Sequence, residues 1–191
     1  MRQSREAKAE THDAIVAEAS RLFRERGIDG TSVADVMGAA RKTHGGFYRH
    51  FDSKEALLVA ALDAAFDSML TIMDEGFDAT ESGDRLGSFL AAYLSPALVE
   101  DVGGGCPVAA LAGDVRRSAP GVRQLFGQGT QRIISRLAAA LDGSKAERKR
   151  RATQAFAMAV GAVMIARASD PETATEVLAA VGAPGERRPI G

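Results

Sequence analysis

The chain has 191 residues, 46% of them hydrophobic and 26% charged, with no tryptophan; this is a globular composition, long enough for a real core or two small domains, and it excludes large-scale disorder. The formal net charge of -1 offers no general attraction to phosphate, so any nucleic-acid binding has to come from a local basic patch. The single cysteine, Cys106, excludes an intramolecular disulfide and a cysteine-built zinc site; with charged first residues unlike a secretory signal, and no apolar run near the roughly 18 residues of a membrane span, the expected location is cytoplasmic with no membrane partner.

In chain order, the first expected element is an amphipathic helix over residues 5–26, with Ile15, Val16, Ala19, Leu22 and Phe23 on one stripe and Gly27 as its C-terminal cap. After Ile28-Asp29-Gly30, Thr31 or Ser32 caps a second, short helix whose inward residues are Val33, Val36 and Met37. A turn through Ala39 to Lys42 leads to a third short helix from Thr43, the order of a helix-turn-helix unit. Asp52 or Ser53 caps a long fourth helix to about Phe77. Glu81 to Asp84 is a polar break, and a fifth helix runs from Leu86 to Leu98 with Pro96 disturbing its end. Gly103-Gly104-Gly105 precedes a helix from about Cys106 to Ser118, and Pro120 starts a seventh that stops at Asp142-Gly143. Ser144 and Glu147 form a capping box for the eighth, Asp170 and Pro171 open a ninth through Val181, and residues 186–191 read as a frayed tail. The expected fold is all-α with about nine helices: residues 1–52 form a three-helix helix-turn-helix domain, and residues 53–191 a larger helical domain that carries a candidate ligand-binding pocket and a candidate dimerisation surface.

The stretch Thr43 to Lys54 gathers a hydroxyl, adjacent glycines, histidines, a tyrosine and cationic side chains. Phe47 and Phe51, four apart, can anchor one face inward while the polar residues point out, the layout of a recognition helix on nucleic acid. The N–H groups at the starts of the second and third helices, with the hydroxyls of Thr31, Ser32 and Thr43, suit phosphate oxygens. Tyr48, His50 and Lys54 can reach the flanking backbone. His44, with Gly45 and Gly46 leaving space for base edges, is the candidate reader of the major groove, and Arg49 a second one. Taken singly, each of these side chains is better read as an exposed or half-buried surface residue; their co-occurrence in one helix-turn-helix favours DNA contact. No metal site is expected, since His12 is far from the other histidines in sequence and His44 and His50, six apart, fall on opposite sides of a helix.

Gly27 to Val36, with Thr31-Ser32-Val33 at its centre, followed by Thr-His-Gly-Gly-Phe-Tyr-Arg-His-Phe-x-Ser-Lys-Glu-Ala-Leu from Thr43 to Leu57, resembles the DNA-binding domain of the tetracycline-repressor-like (TetR) family over roughly residues 10–60. The remaining two thirds of the chain resembles the family only in helical layout. The resemblance implies a transcriptional regulator, a repressor first of all, that binds a palindromic double-stranded DNA operator as a homodimer and is released by a small-molecule effector. Where such proteins usually carry a glycine and an apolar residue before the recognition helix, this chain has Arg41 and Lys42, which leaves open either extra phosphate contacts or a looser turn.

The bulky, adaptable side chains of the middle helices, Phe66, Met69, Leu70, Met73, Phe89, Tyr93, Leu111, Phe126 and Met158, outline a candidate pocket for an apolar or weakly polar effector, with Tyr93 as its polar handle. The stripe of Ala152, Ala155, Phe156, Ala159 and Val163 on the eighth helix, with Val177 on the ninth, is the expected dimerisation surface. Cys106 reads as a small buried apolar residue rather than a redox sensor. No phosphate loop, carboxylate pair or nucleophile–base set can be assembled, so neither catalytic residues nor a cofactor are expected. The rival from another class is a helical small-molecule carrier or sequestering protein without sequence-specific DNA binding.

Overall fold

The computed structural model describes residues 5–78 and 84–182, all helix and connections with no strand among them. In order they form α1 (Arg5–Arg26), α2 (Val33–Ala39), a 3-10 helix (His44–Arg49), α3 (Lys54–Asp78), α4 (Arg85–Tyr93), α5 (Pro96–Glu100), α6 (Pro107–Val115), α7 (Pro120–Ala139), α8 (Lys145–Ala168) and α9 (Pro171–Gly182). The all-α expectation holds. Two elements differ from it. The third helix is a 3-10 helix, and the expected fifth helix is divided: proline cannot continue α4 but its fixed φ suits a first turn, so Pro96 opens α5 instead. Most of the polar break before Asp84 and the tail from 186 lie outside the described residues.

The chain divides into two compact units, Met1–Thr71 with Asp101–Ile133, and Ile72–Glu100 with Ile134–Gly191. In the first, the α1 stripe of Ile15, Ala19, Leu22 and Phe23 shares one core with Val36 and Met37 of α2, Phe47, Phe51, the start of α3, Leu111 and Val115 of α6, and Val122 of α7. α1 ends at Gly27, whose φ of 79° is the left-handed conformation that glycine adopts without steric cost. Arg24, also buried, donates to the Gly105 carbonyl at 2.8 Å and to Ser20 O at 3.0 Å. Burial pushes its pKa down, and Asp101 opposes that shift, as expected of a buried cation with a distant partner.

α3 corrects the expectation that no apolar segment approaches membrane length, because by length and composition alone it qualifies. Its apolar face is core, however: Leu57, Leu58, Ala61, Leu62, Ala65, Phe66 and Met69 are all at most 4% exposed. Towards its middle, Phe66 faces Gly129 of α7 so closely that a methyl group there would collide with the ring.

In the second unit, Leu86, Phe89, Leu90 and Tyr93 of α4 are buried, with Tyr93 at 5.3 Å from Phe89 and 6.0 Å from Phe156 of α8, ring centre to ring centre. α8 packs on α4, α5 and α9. The small-residue stripe expected at a subunit interface is therefore spent inside the chain: Ala152, Ala155, Phe156, Ala159 and Val163 are at most 4% exposed, and Val177 is half-buried. Short side chains let α8 approach its own neighbours closely, which uses the same property that a subunit contact would need.

The Phe66–Gly129 contact gives a paired test. Gly129→Ala gains about 1 kcal/mol of helix propensity but overpacks a well-filled site against a rigid ring, so a net loss of roughly 1–2 kcal/mol is expected. Gly127→Ala, one exposed position along the same helix with nothing near the added carbon, should gain up to about 1 kcal/mol instead. Urea unfolding of both variants measures the two changes.

Candidate nucleic-acid interface

The expected recognition segment is positioned from beneath by its aromatics. Phe47 and Phe51 are 1% and 6% exposed, their rings stacked at 5.7 Å, and both belong to the core that α1 and α3 share. Between Thr43 and His50 the backbone closes in three-residue steps, Gly46 N–H to Thr43 O and His50 N–H to Phe47 O, each at 2.9 Å. Adjacent glycines weaken the wider α-helical turn, which accounts for a tight 3-10 helix here.

Thr43, His44, Gly45, Tyr48 and Arg49 are exposed on this segment, and Gly46 is half-buried. Thr43 holds the N-cap position, yet its hydroxyl caps nothing. Tyr48 is 67% exposed, edge-on to Phe47 at 5.2 Å and to His44 at 6.4 Å. Neither glycine has a positive φ, and a carbon added at Gly45 would meet nothing within 4 Å, so the fold itself does not demand glycine there. Lys54 is half-buried and donates one N–H to the Ile28 carbonyl at 2.6 Å, leaving two donors for other partners.

Two expected phosphate donors are corrected. The Thr31 side chain is fully buried, and its hydroxyl donates to Gly27 O at 2.9 Å and lies 3.2 Å from Leu22 O. Ser32 is the N-cap of α2, and its hydroxyl is held by Asp35 in a capping box: Ser32 Oγ to Asp35 Oδ2 is 2.5 Å, and Asp35 N–H donates back at 3.1 Å. The Asp35 carboxylate, its pKa held down by the Ser32 hydrogen bonds, supplies the negative charge that this helix start attracts.

The structure also brings in residues that the linear pattern separated. His12 of α1 stacks on Phe51 at 4.6 Å and lies 5.9 Å from His50, ring centre to ring centre, so the distance in sequence is not a distance in space. Among the described residues no cluster of three or more metal-binding side chains forms. His50 is half-buried, with its Nδ1 buried and without a hydrogen-bond partner among the described residues. Beside it a cavity of about 260 Å³ is lined by Thr11, Met37, Arg41, Lys42, Thr43, Gly46, Arg49 and His50. The one signal for it in the sequence was the pair Arg41-Lys42 in the turn.

The candidate effector residues fall in both units. Phe66, Met69 and Leu111 are buried in the first, where Leu111 belongs to the core beneath the helix-turn-helix and Phe66 meets the half-buried Phe126 edge-on at 5.6 Å. Leu70, also in the first, is half-buried. Met73, Phe89 and Tyr93 are buried in the second. Met158 is 49% exposed and lines no interior, a correction: it lies on α8 at the exposed edge of the buried alanine stripe.

Residues 15–61 match the family described as bacterial regulatory proteins, tetR family. The transcriptional regulator TtgR of Pseudomonas putida is 35% identical over 68 residues, which take in 36% of this chain and 32% of that relative. The match thus spans about a third of TtgR's length. The transcriptional repressor NemR of Escherichia coli is 25% identical over 139 residues, 71% of this chain and 69% of its own. Reduced NemR has the same fold, with a TM-score of 0.75 at 23% identity over 90% of this chain and 95% of that one. A TetR regulator from Chloroflexus aurantiacus superposes at 0.75 with 27% identity, covering 91% of this chain and 93% of the other.

The His50 environment makes stability depend on pH. Burial, then the charges of His12, Lys8, Arg49 and Lys42, hold its pKa below the ordinary histidine value. The unfolded chain therefore takes up this proton first, so the contribution to stability is complete above about pH 6.5 and is lost as pH falls through the window towards the lower folded value. Thermal melts between pH 5 and pH 8 should show the wild-type midpoint falling more on the acid side than that of His50→Gln; parallel curves would refute the assignment.

Proposed function

Because residues 15–61 match the tetR family of bacterial regulatory proteins, we propose that this chain is a DNA-binding transcriptional regulator, a repressor that binds a palindromic operator as a homodimer and leaves it when a small molecule binds. The observation that carries this reading is the exposed edge of the 3-10 helix. Thr43, His44, Gly45, Tyr48 and Arg49 face outward from a segment anchored by Phe47 and Phe51, and Gly45 leaves open space beside them for an approaching partner.

In this scheme His44 reads base edges in the major groove, with Gly45 and Gly46 letting the backbone come close. The Thr43 hydroxyl, Tyr48 and the remaining donors of Lys54 contact the sugar-phosphate backbone and set register. Thr31 and Ser32 support these groups rather than touching DNA, since their hydroxyls are engaged within the protein. So short a reading element specifies few base pairs, and a second copy doubles the contacts and fixes the half-site spacing.

Pairing of two copies is assigned to the outer face of α8. Met158, Met164 and Ile165 are 49%, 43% and 48% exposed there, large apolar groups that a second subunit would cover. The effector is an apolar or weakly polar molecule held among the aromatic and methionine side chains, and it acts by favouring a dimer whose heads no longer match the operator. Work on chromosomal DNA places the protein in the cytoplasm.

Gel shifts against the region upstream of its own gene test the central claim: binding should weaken steeply and linearly in log affinity against log salt. Absence of salt-sensitive binding would leave a helical carrier as the answer. His44→Ala should lose discrimination between operator and unrelated duplex by about 1–3 kcal/mol at the bases it contacts. For the dimer, Met158→Glu with Ile165→Glu should shift the protein to a monomer in sedimentation and weaken operator binding; an unchanged dimer would move the interface elsewhere.

A further inference from the structure

The turn between α2 and the 3-10 helix is closed by two backbone hydrogen bonds, Lys42 N–H to Met37 O at 2.8 Å and Arg41 N–H to Gly38 O at 3.0 Å. This pattern ends many helices through one left-handed residue, for which glycine is usual. Here that residue is Arg41, at φ 55°, the one non-glycine position with positive φ among the described residues. Its Cβ makes the conformation unfavourable for arginine, whereas glycine would take it without cost. The backbone therefore gains nothing from arginine, and any advantage lies in the side chain.

That side chain borders the cavity of about 260 Å³, with Thr11, Lys42, Thr43, Arg49 and His50 also on its wall. Arg41, Lys42 and Arg49 bring cationic side chains to the wall, and no carboxylate is among its lining residues. None of the three makes an ion pair among the described residues, although acidic residues outnumber basic ones in the whole chain. The Thr43 hydroxyl caps nothing, and His50 Nδ1 is buried without a partner among the described residues. Converging cations and uncommitted polar groups, with no carboxylate among them, suit an anion with several oxygens, and arginine suits phosphate in particular.

We infer that this cavity seats one phosphodiester of the operator backbone, clamped by Arg41, Lys42 and Arg49. The inference rests on the DNA-binding reading and deepens it. Arg49 becomes a backbone clamp rather than a reader of bases. Thr43 belongs both to the cavity wall and to the exposed edge, so a duplex that reaches His44 passes over the opening. All three cations are exposed, which holds a lone ion weakly; a phosphate already delivered by neighbouring contacts is presented at high effective concentration.

The test compares wild type, Arg41→Gly, Arg41→Lys and Lys42→Ala on the upstream duplex and on an unrelated duplex of equal length, across a salt series. Arg41→Gly suits the left-handed turn, so its melting temperature should equal or exceed that of wild type. Its log-affinity slope against log salt should fall in magnitude by about 1 per subunit, roughly 2 for the dimer, with the same fold-loss on both duplexes, and Lys42→Ala should do likewise. Arg41→Lys should retain the slope. An unchanged slope in Arg41→Gly, with wild type still binding DNA, overturns the clamp and leaves the regulator reading intact; wild type that binds no DNA overturns that reading itself. In a second arm, inorganic phosphate is titrated without DNA while the His50 ring resonances are followed. No saturation in the millimolar range is expected. A saturable shift that Arg41→Gly abolishes would assign the cavity to free phosphate and overturn the backbone assignment.

Discussion

The turn after α1 is held at a single residue from two other helices. The N–H of Ile28 donates to Asp114 Oδ2 of α6 at 3.0 Å, and its carbonyl accepts from Lys54 Nζ of α3 at 2.6 Å. The Thr31 hydroxyl closes the same turn onto Gly27 O, and Gly27 itself makes the reversal possible through its left-handed φ. Buried peptide groups away from regular structure need such partners. With both polar groups of Ile28 satisfied by side chains, the direction in which α2 leaves α1 is fixed, and with it the turn at Arg41 and the 3-10 helix. A contact surface built from six residues depends on that rigidity, because a short element has few bonds of its own to keep it in place.

The same constraint reconciles a slightly acidic chain with a cationic working surface. Four acidic groups near the helix-turn-helix are committed to the protein: Asp35 caps α2, Asp114 holds Ile28 and Arg117, and Glu18 and Glu25 pair with Arg21. Arg41, Lys42 and Arg49 are left facing solvent. Net charge is therefore a poor guide to local potential, which is set by which charges are already answered. α8 follows a related logic. Its basic run, Lys145 to Arg151, stands at a helix start where cations are disfavoured, but the Glu147 carboxylate, accepting from Ser144 N–H at 3.0 Å and Ser144 O–H at 2.7 Å, supplies the negative charge there.

What the sequence determined by itself is the local part of the structure. The left-handed Gly27, the Ser144–Glu147 box, the Asp170 cap and the Phe47–Phe51 anchor are interactions between residues a few positions apart, so their chemistry is written in order and spacing. The helix-turn-helix pattern and its exposed His44 and Tyr48 were legible for the same reason. Tertiary packing decided the rest. A threonine before a helix can point to water or into the core, and only the proximity of Leu22 and Gly27 turns Thr31 inward. Periodicity marks the alanine stripe of α8 as a packing face without saying whose helix covers it, and here it is the chain's own α4, α5 and α9. Likewise nothing in the order of residues places His12 against Phe51 and His50, or gathers Thr11, Arg41, Lys42 and Arg49 round one cavity. Those relations join distant positions through a shared core, and they exist only once the core has formed.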